Sequence, residues 1–370
     1  MWLEDVNTTY GRVYSWLRGE FEANRICIGD RLPSENVLCT QFESSRPPIR
    51  QAMARLLHEG LIETQRGRGS FRKAPPASTS KDIALVLPDL SSYIYPELTE
   101  AANAALRERD FHTLLECSAT DPDAERRILK AMLGRKPAGL IISPVQGDIA
   151  SDSRDVGNSD LLRELRTQGI AVLLLDNDLG TSDFDSIVIN DYKCGRTAMD
   201  YLIDKGHSPA SIAVVWRPGH APFAARRRGA LDRLTELGKE PATGTELQSD
   251  GFSPEKLGPA LDAFLVKREP TAFFCVNDDC ALTLINLLVL RGIRVPEDVS
   301  VLGFDDSPPA RSGAFLSSFD YPSTWIGKKA AELMNNLLEP SSITANTRIA
   351  LNCKLIERAS VKDLRKKEHP

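Results

Sequence analysis

Residues 31–72 read RLPSENVLCTQFESSRPPIRQAMARLLHEGLIETQRGRGSFR, and this stretch decides the N-terminal fold. Ser34 precedes one short apolar-periodic segment and Ser45 precedes a second, so each serine is expected to cap a helix. Pro47 and Pro48 fall in the first turn of the second helix, where a missing N–H costs little. Two strand-like runs, LIET and SFR, then flank the basic tip QRGRG. The stretch predicts helix, turn, helix and a two-stranded hairpin.

The second predicted helix has two different faces. Arg46 and Arg50 share one face, whereas Ile49, Met53 and Leu56 form an apolar stripe. A helix with arginines in its first turns can enter the major groove of DNA, and a basic glycine-rich hairpin can approach phosphates or the minor groove. The alternative is a helix–hairpin pair with solvated arginines. The whole pattern of LPSE, turn, SRxxxR, apolar helix, EGLIE and GRGSF favours a DNA-binding surface instead.

This run resembles the winged helix-turn-helix of GntR-type bacterial regulators. The resemblance covers residues 8–73, where TYGRVYSWLRGEF is similar to the first helix of that family. It implies DNA contacts from the helix caps, the second helix and the wing, namely Ser34, Ser45, Arg46, Pro48, Arg50, Arg68 and Gly69. Asn36 departs from the family, which usually has a DNA-contacting Arg there. Glu43 and Ser44 replace a Gly-Val turn, so Glu43 is expected to adopt a positive φ.

The distribution of charge agrees with a DNA-binding head. The net charge of the 370 residues is −5, which by itself does not suit a nucleic-acid partner. Residues 44–73, however, hold seven Lys or Arg against two Asp or Glu, and the chain after residue 73 is acidic. Because a local basic patch matters more than the total charge, double-stranded operator DNA is an expected partner.

Composition excludes several other classes of protein. The seven cysteines are scattered with no CxxC pair, and the five histidines show no ligand spacing, so neither a disulfide framework, a metal site nor another cofactor is expected. No apolar run is long enough to span a bilayer, and MWLEDVNTTY does not resemble a signal peptide. We therefore expect a cytoplasmic protein with no membrane partner.

From Ile83 onwards the pattern changes to near-continuous apolar runs separated by amphipathic segments. IALVLP, AGLIISP, IAVLLLD, SIAVVW, AFFCVND and VSVLGFD are examples of the runs. Such runs predict parallel strands covered on both faces by helices. Their number exceeds one sheet of typical size and predicts two α/β lobes.

Polar residues recur where these predicted strands end. Asp89, Asp176, Asn190-Asp191, Asn277-Asp278 and Asp305-Asp306 all follow apolar runs. Ligands of open α/β sheets bind just outside the carboxyl ends of strands. For any one of these residues, a helix cap or turn is an equally good interpretation. Their recurrence at one topological position favours a polar ligand between the lobes.

The segments 105–144, 191–215, 270–308 and 315–334 resemble the LacI-type effector domain, which is periplasmic-binding-protein-like. By that resemblance, sugar or nucleoside-like effectors would contact Asp176, Arg226, Phe252, Asn277, Asp305 and Tyr321. Carboxylates and guanidinium groups can make bidentate bonds to vicinal hydroxyls, and an aromatic ring covers the apolar face of a sugar. Arg226 alternatively is a surface residue of the RRR run, and Phe252 a core residue.

The predicted fold is an α+β winged helix-turn-helix domain followed by an α/β two-lobed periplasmic-binding-protein-like domain with parallel sheets flanked by helices. The expected boundaries are a DNA-binding domain at 1–73, a linker at 74–82, and an effector-binding and dimerisation domain at 83–370, with lobe one at about 83–190 plus 296–318 and lobe two at about 191–295 plus 319–345.

The combination of these two domains in one chain resembles the arrangement of arabinose-responsive repressors. The resemblance implies a homodimeric, sugar-controlled transcriptional repressor, with L-arabinose as the first candidate effector. Two alternatives remain at this stage. One is a sugar sensor or transport-type binding protein without DNA function, and the other is an activator with a non-sugar effector. An enzyme is not expected, because no GxGxxG follows the first strand and no nucleophile–base set stands out.

Overall fold

The computed structural model describes residues 8–22, 25–73, 80–90, 92–145, 157–238, 244–339 and 345–365. Residues 74–79, most of the predicted linker, lie outside the described residues. The described chain forms an N-terminal head and two α/β lobes.

The head consists of three helices and a hairpin, α1 (Thr9–Glu22), α2 (Glu35–Gln41), α3 (Arg46–His58), β1 (Ile62–Gln65) and β2 (Gly69–Arg72). Ser34 caps α2, where its side chain accepts a hydrogen bond from the N–H of Val37. Ser45 occupies the N-cap position of α3, but its side chain makes no capping bond. The helices enclose an apolar core in which Leu17 and Ile49 are fully buried. The predicted winged helix-turn-helix is therefore confirmed.

Lobe one is a six-stranded sheet with helices on its faces. Its elements are β3 (Asp82–Leu87), α4 (Ile94–Arg107), β4 (His112–Cys117), α5 (Pro122–Arg135), β5 (Gly139–Ile142), α6 (Ser159–Thr167), β6 (Ala171–Leu175), β7 (Asp185–Ile189), α12 (Ser323–Leu338) and β13 (Arg348–Leu351). The strand order is β13-β7-β6-β5-β3-β4, and all strands are parallel. Every residue of β5 and β7 is buried, as expected of strands covered on both faces.

Lobe two repeats this architecture. Its elements are α7 (Asp191–Asp204), β8 (Ile212–Trp216), α8 (Ala221–Gly238), β9 (Glu246–Gln248), α9 (Pro254–Leu265), β10 (Ala272–Cys275), α10 (Asp278–Leu290), β11 (Ser300–Asp305), α11 (Pro308–Gly313), β12 (Ser317–Asp320) and β14 (Leu355–Ile356). The strand order is β14-β12-β11-β10-β8-β9, with only β14 antiparallel to its neighbour among these described strands.

The chain passes between the lobes after β7, after β12 and after β13. The predicted division is wrong for the last segments. Residues 296–318, expected in lobe one, contain β11, which pairs with β10 in the sheet of lobe two. Most of 319–345, expected in lobe two, is α12, which packs against α4, β5 and β6 of lobe one. The physical reason is that the crossover helix α10 connects β10 to a parallel strand of the same sheet. The apolar sequence of a strand does not by itself show to which sheet the strand belongs.

No helix in the described ranges is both long and apolar enough to cross a membrane.

Candidate functional sites: the interlobe cavity and the winged head

A cavity lies between the lobes, at the carboxyl ends of their parallel strands. Its wall includes all six side chains that the LacI-type resemblance implies, Asp176, Arg226, Phe252, Asn277, Asp305 and Tyr321. Lobe one supplies the first of these from the end of β6, lobe two supplies the next four, and the last lies where the chain passes from β12 to α12. The fold therefore brings distant parts of the sequence around one space.

Arg226 is the buried cation of this cavity, with only 3% of the residue exposed. Its Nε donates to Oδ1 of Asp191 at 2.7 Å, and its Nη1 donates to the carbonyl oxygen of Val276 at 2.7 Å. Asp305 lies 3.7 Å from Nη1, and the guanidinium carbon lies 3.5 Å from the ring centroid of Phe304. The surface interpretation is therefore wrong for this arginine. Its Nη2 group makes none of these bonds and can donate to a ligand.

Two glycines bring Arg226 and Asp191 together by letting α7 and α8 pack at backbone contact. A Cβ on Gly195 would collide with the carbonyl of Arg226, and a Cβ on Gly229 would collide with the carbonyl of Tyr192. Only glycine permits so close an approach. The RRRG sequence therefore encodes both the charged group and the contact that positions it.

Asp176 forms the polar centre of the lobe-one wall. Its Oδ2 accepts hydrogen bonds from Tyr95 at 3.2 Å and from Ser143 at 3.1 Å, and its Oδ1 accepts one from Tyr321. Burial raises the pKa of this carboxyl, whereas the three hydroxyl donors lower it. Burial together with the Asp176 carboxyl raises the pKa of both tyrosines, which stay neutral donors. Three of about four acceptor positions of Asp176 are thus used within the protein.

Two of the wall carboxylates sit on unusual backbone. Asp176 has φ 61 and Asp305 has φ 113, conformations that Asp tolerates better than most residues but that still cost free energy. Burial raises the pKa of Asp305 well above its usual value, while Arg226 lowers it. Asn277 caps α10 by accepting a hydrogen bond from the N–H of Cys280 at 3.1 Å, so the capping interpretation holds for a residue that also lines the cavity.

An aromatic wall from lobe two faces this polar group. The ring centroids of His220 and Phe223 lie 4.1 Å apart, and those of Phe223 and Phe252 lie 5.9 Å apart. The Arg217 guanidinium lies over both phenylalanine rings, at 5.3 and 5.8 Å. Burial lowers the pKa of His220 to about 3, with Arg217 and Arg226 contributing. The histidine is therefore neutral near pH 7.

Several residues that line the cavity were not predicted as effector contacts from the sequence. Asp191 and Asp89 carried the same strand-end signal as the assigned residues, so that signal was sufficient to find them. Arg217, His220 and Phe223 follow β8 with no periodic or motif signal.

Within the described ranges, no group of three or more His, Cys, Asp or Glu side chains is placed to hold a metal ion.

The residues implied for DNA binding lie on the caps, α3 and the wing of the head. Arg46 and Arg50 are exposed in the first turns of α3. The Nη2 of Arg46 donates to Oδ1 of Asn36 at 3.0 Å, and the Nε of Arg50 donates to Oε2 of Glu35 at 3.0 Å. Residues of α2 thus orient both arginines. Pro48 lies beside them, in the first turn of α3.

The turn and the wing depend on residues with positive φ. Glu43 has φ 48, as expected from its replacement of glycine in the turn. Gly69 has φ 109, and a Cβ there would lie 2.9 Å from Nε of Arg31. The guanidinium of Arg68 lies 5.8 Å from the centroid of Phe71. The wing tip therefore presents the basic side chain of Arg68 next to Gly69, whose backbone conformation only glycine adopts readily.

Two family models match this chain. One, described as bacterial regulatory proteins of the gntR family, matches residues 9–71, and the other, described as a periplasmic binding protein-like domain, matches residues 199–361. The arabinose metabolism transcriptional repressor of Geobacillus stearothermophilus is 28% identical over 345 residues, covering 90% of this chain and 92% of the relative. The protein of the same name from Halalkalibacterium halodurans is 26% identical over 347 residues, covering 90% of each.

A solved structure of the transcriptional regulator CelR in complex with cellobiose has the same fold. The TM-score is 0.65 at 22% sequence identity, and the match covers 89% of this chain and 100% of that chain. The head, the two-lobed domain and the relatives of nearly full length agree with one another. The chain therefore joins a winged helix-turn-helix head that matches the gntR family to a domain that matches the periplasmic binding protein-like family, and over nearly its full length it is similar to transcriptional repressors of arabinose metabolism.

Proposed function

We propose that this protein is a transcriptional repressor that binds operator DNA through its head and changes its DNA affinity when a neutral sugar occupies the interlobe cavity. The observation that carries the proposal is the cavity itself. Polar and aromatic side chains from both lobes meet there around a buried arginine, in a chain that begins with a DNA-binding fold. The ligand would be bound and released unchanged, with no catalytic step.

The charges of the cavity favour a neutral polyol over an anion. Arg226 is already compensated by Asp191 and Asp305, and the carboxyl groups of Asp89, Asp176 and Asp279 outnumber the second cation of the wall, Arg217. An added phosphate would meet this acidic set. Hydroxyl groups, by contrast, can accept from Arg226 and donate to carboxylates, while the phenylalanine rings cover the C–H face of a sugar ring.

The size of the cavity favours one monosaccharide. It offers about 80 Å³ to water, several times the roughly 10–15 Å³ that one water molecule needs. That is the scale of a single pyranose or furanose ring. L-arabinose is the first candidate, since two relatives are named arabinose metabolism repressors.

For the DNA-binding side, we propose that α3 lies in the major groove with Arg46 and Arg50 towards base edges or phosphates. Ser34, Ser45 and Pro48 would contact the backbone near the helix caps, and the wing residues Arg68 and Gly69 would approach the adjacent groove. A homodimer would present two heads to a near-palindromic operator in the cytoplasm.

For effector binding to change DNA affinity, the head must contact the two-lobed domain in a way that differs between open and closed lobes. The Nη2 of Arg18 in α1 donates a hydrogen bond to Oγ1 of Thr167 at the end of α6. We propose that closure of the lobes around a sugar moves α6 and changes how this contact holds the head. Coupling free energies between two such sites are typically about 1–3 kcal/mol, or roughly 5–150-fold in affinity.

The test uses the full-length protein, a thermal-shift panel of pentoses, hexoses and sugar phosphates, and DNA selected from random duplexes. A ligand at about 100 times its dissociation constant adds about 2.7 kcal/mol of stability. We expect a neutral monosaccharide to raise Tm and to change DNA affinity. Stabilisation by sugar phosphates alone would contradict the proposal.

A matched pair of variants locates the effector site. Asp305→Asn removes a wall carboxylate and should abolish the sugar-induced shift while keeping DNA binding. Asp306→Asn makes the same change one residue later, on a backbone that also has positive φ. Asp306 pairs with Arg358 at 2.6 Å and does not line the cavity, so this variant should keep the shift. A normal response in Asp305→Asn would remove that residue from the site.

A further inference from the structure

A smaller chamber adjoins the main cavity. The two share wall residues that include Pro88, Thr120, Asp176 and His220, and the chamber extends from there towards Ser143. It offers about 20 Å³ to water. At about 10–15 Å³ per water molecule, this is room for one or two non-hydrogen atoms beyond the ring in the main cavity.

The wall shared by the two spaces contains an unsatisfied polar atom. Nδ1 of His220 is enclosed by protein and has no hydrogen-bond partner among the described residues. Because the ring lines both spaces, Nε2 is the nitrogen that a ligand can reach. The ring is held in place by its contact with Phe223. A neutral imidazole nitrogen that faces a cavity can donate a hydrogen bond to a ligand hydroxyl or accept one from it, depending on the tautomer.

The chemistry of the chamber suits one methylene group carrying one hydroxyl. The prolines Pro144 and Pro222, together with Val145, provide apolar surface. Thr120 and His220 provide hydroxyl and imidazole partners within the same small space. A charged substituent is disfavoured, because the Asp176 carboxyl repels anions and a histidine whose pKa is lowered to about 3 carries no charge to attract them.

We propose that this chamber is a subsite for the exocyclic hydroxymethyl group of a neutral monosaccharide, with His220 as the hydrogen-bond partner of its hydroxyl. The inference rests on the proposed function, since it needs a sugar ring in the main cavity. It adds that the effector is a sugar with a CH₂OH arm, so that D-galactose, which has the ring configuration of L-arabinose, replaces L-arabinose as the first candidate. A hexose should therefore bind better than the pentose of identical ring configuration.

Three matched pairs of sugars test the subsite by isothermal titration calorimetry with the full-length protein. L-arabinose and D-galactose differ only in the hydroxymethyl group, as do D-xylose and D-glucose, and D-lyxose and D-mannose. In the pair that binds, the hexose should bind about tenfold more tightly, from one buried methylene group and one neutral hydrogen bond. Equal or weaker binding of the hexose overturns the subsite. Absence of binding by all six sugars overturns the proposed sugar effector as well.

The histidine variant separates the hydrogen bond from the methylene group. His220→Phe keeps an aromatic ring beside Phe223 and removes both ring nitrogens, so it should bind the 6-deoxy hexose at least as well as the hexose. Wild-type protein should prefer the hexose over its 6-deoxy form about threefold or more. This wild-type comparison needs no variant and tests the proposal even if His220→Phe folds poorly.

Phe252→Leu is the matched control, because Phe252 lines only the main cavity. It should weaken hexose and pentose equally and leave their ratio unchanged. Persistence in His220→Phe of the preference for the hexose over its 6-deoxy form would contradict the assignment of His220.

Discussion

Substitution of Gly229 by alanine tests how the fold positions the buried arginine. A Cβ at this position would lie well inside the closest approach that real Cβ atoms make to the carbonyl oxygen of Tyr192. The helices α7 and α8 would have to separate by about 1 Å to relieve the clash. The bond of 2.7 Å between Arg226 and Asp191 spans the same two helices, so it would lengthen beyond hydrogen-bond range.

The magnitude follows from three effects. Overpacking costs about 1–3 kcal/mol, and loss of a charged hydrogen bond costs about 1.5–3 kcal/mol. The better helix propensity of alanine returns at most about 1 kcal/mol. We expect a net loss of roughly 2–5 kcal/mol, seen as a Tm lower by about 5–15 °C, and effector binding at least tenfold weaker.

The matched control is Gly238→Ala at the end of the same helix. A Cβ there would meet Pro209 at 3.6 Å, an ordinary contact, so its Tm and effector affinity should stay close to wild type. Differential scanning calorimetry and titration calorimetry measure both quantities. A Gly229→Ala variant with a wild-type or higher Tm and unchanged effector affinity would show that this glycine does not position Arg226.

Three further changes test other parts of the molecule. Arg46→Ala should weaken binding to the selected operator by about 1–3 kcal/mol at fixed salt if the side chain reads a base, and an unchanged dissociation constant in fluorescence anisotropy would contradict that role. Burial raises the pKa of Asp191 to about 6 despite the opposing Arg226, so effector affinity should fall from pH 7 to pH 5 as this carboxylate takes up a proton. Asp191→Asn should show a smaller fall, because Asp305 on the same wall also has a raised pKa. The pH dependence of folding stability has the opposite direction. Because the pKa of Asp191 is higher in the folded protein, at about 6, than its ordinary value of 3.8, its protonation stabilises the fold. This contribution is complete below pH 3.8 and is lost as the pH rises through about 6. Thr167→Val removes the acceptor of the Arg18 hydrogen bond and should reduce the effect of sugar on DNA affinity without changing sugar affinity; full coupling in this variant would exclude the contact.

The sequence predicted the architecture because local patterns encode it. Uninterrupted apolar runs such as β5 and β11 are buried on both faces, and the serine and proline positions at Ser34 and Pro47 mark helix starts in the head. The replacement of glycine by Glu43 predicted its positive φ, which the structure has.

The sheet to which a strand belongs could not be predicted in the same way. β11 and β6 are both apolar and both buried, yet they belong to different lobes. The strand β13 was not predicted at all. It is short and its burial alternates, and its partner β7 lies far away in the sequence.

The residues of the cavity wall could be predicted where a polar side chain stands at the end of a predicted strand or within a motif of the family. Asp176 and Asn277 lie just after strands and Asp305 is the last residue of β11, whereas Arg226 precedes a glycine that its helix packing requires. His220 has neither signal, because its place in the wall results from the turn after β8 and from the approach of the two lobes, which no local pattern records.

If a sugar in the interlobe cavity controls the DNA affinity of this protein, that affinity must differ between the sugar-free and the sugar-bound protein. The dissociation constant of the full-length protein for its selected operator should be measured by fluorescence anisotropy at fixed salt, with and without the sugar that raises Tm most. We predict a change of roughly 5–150-fold at saturating sugar. An unchanged dissociation constant, with the sugar demonstrably bound, would contradict the claim that the cavity controls the head.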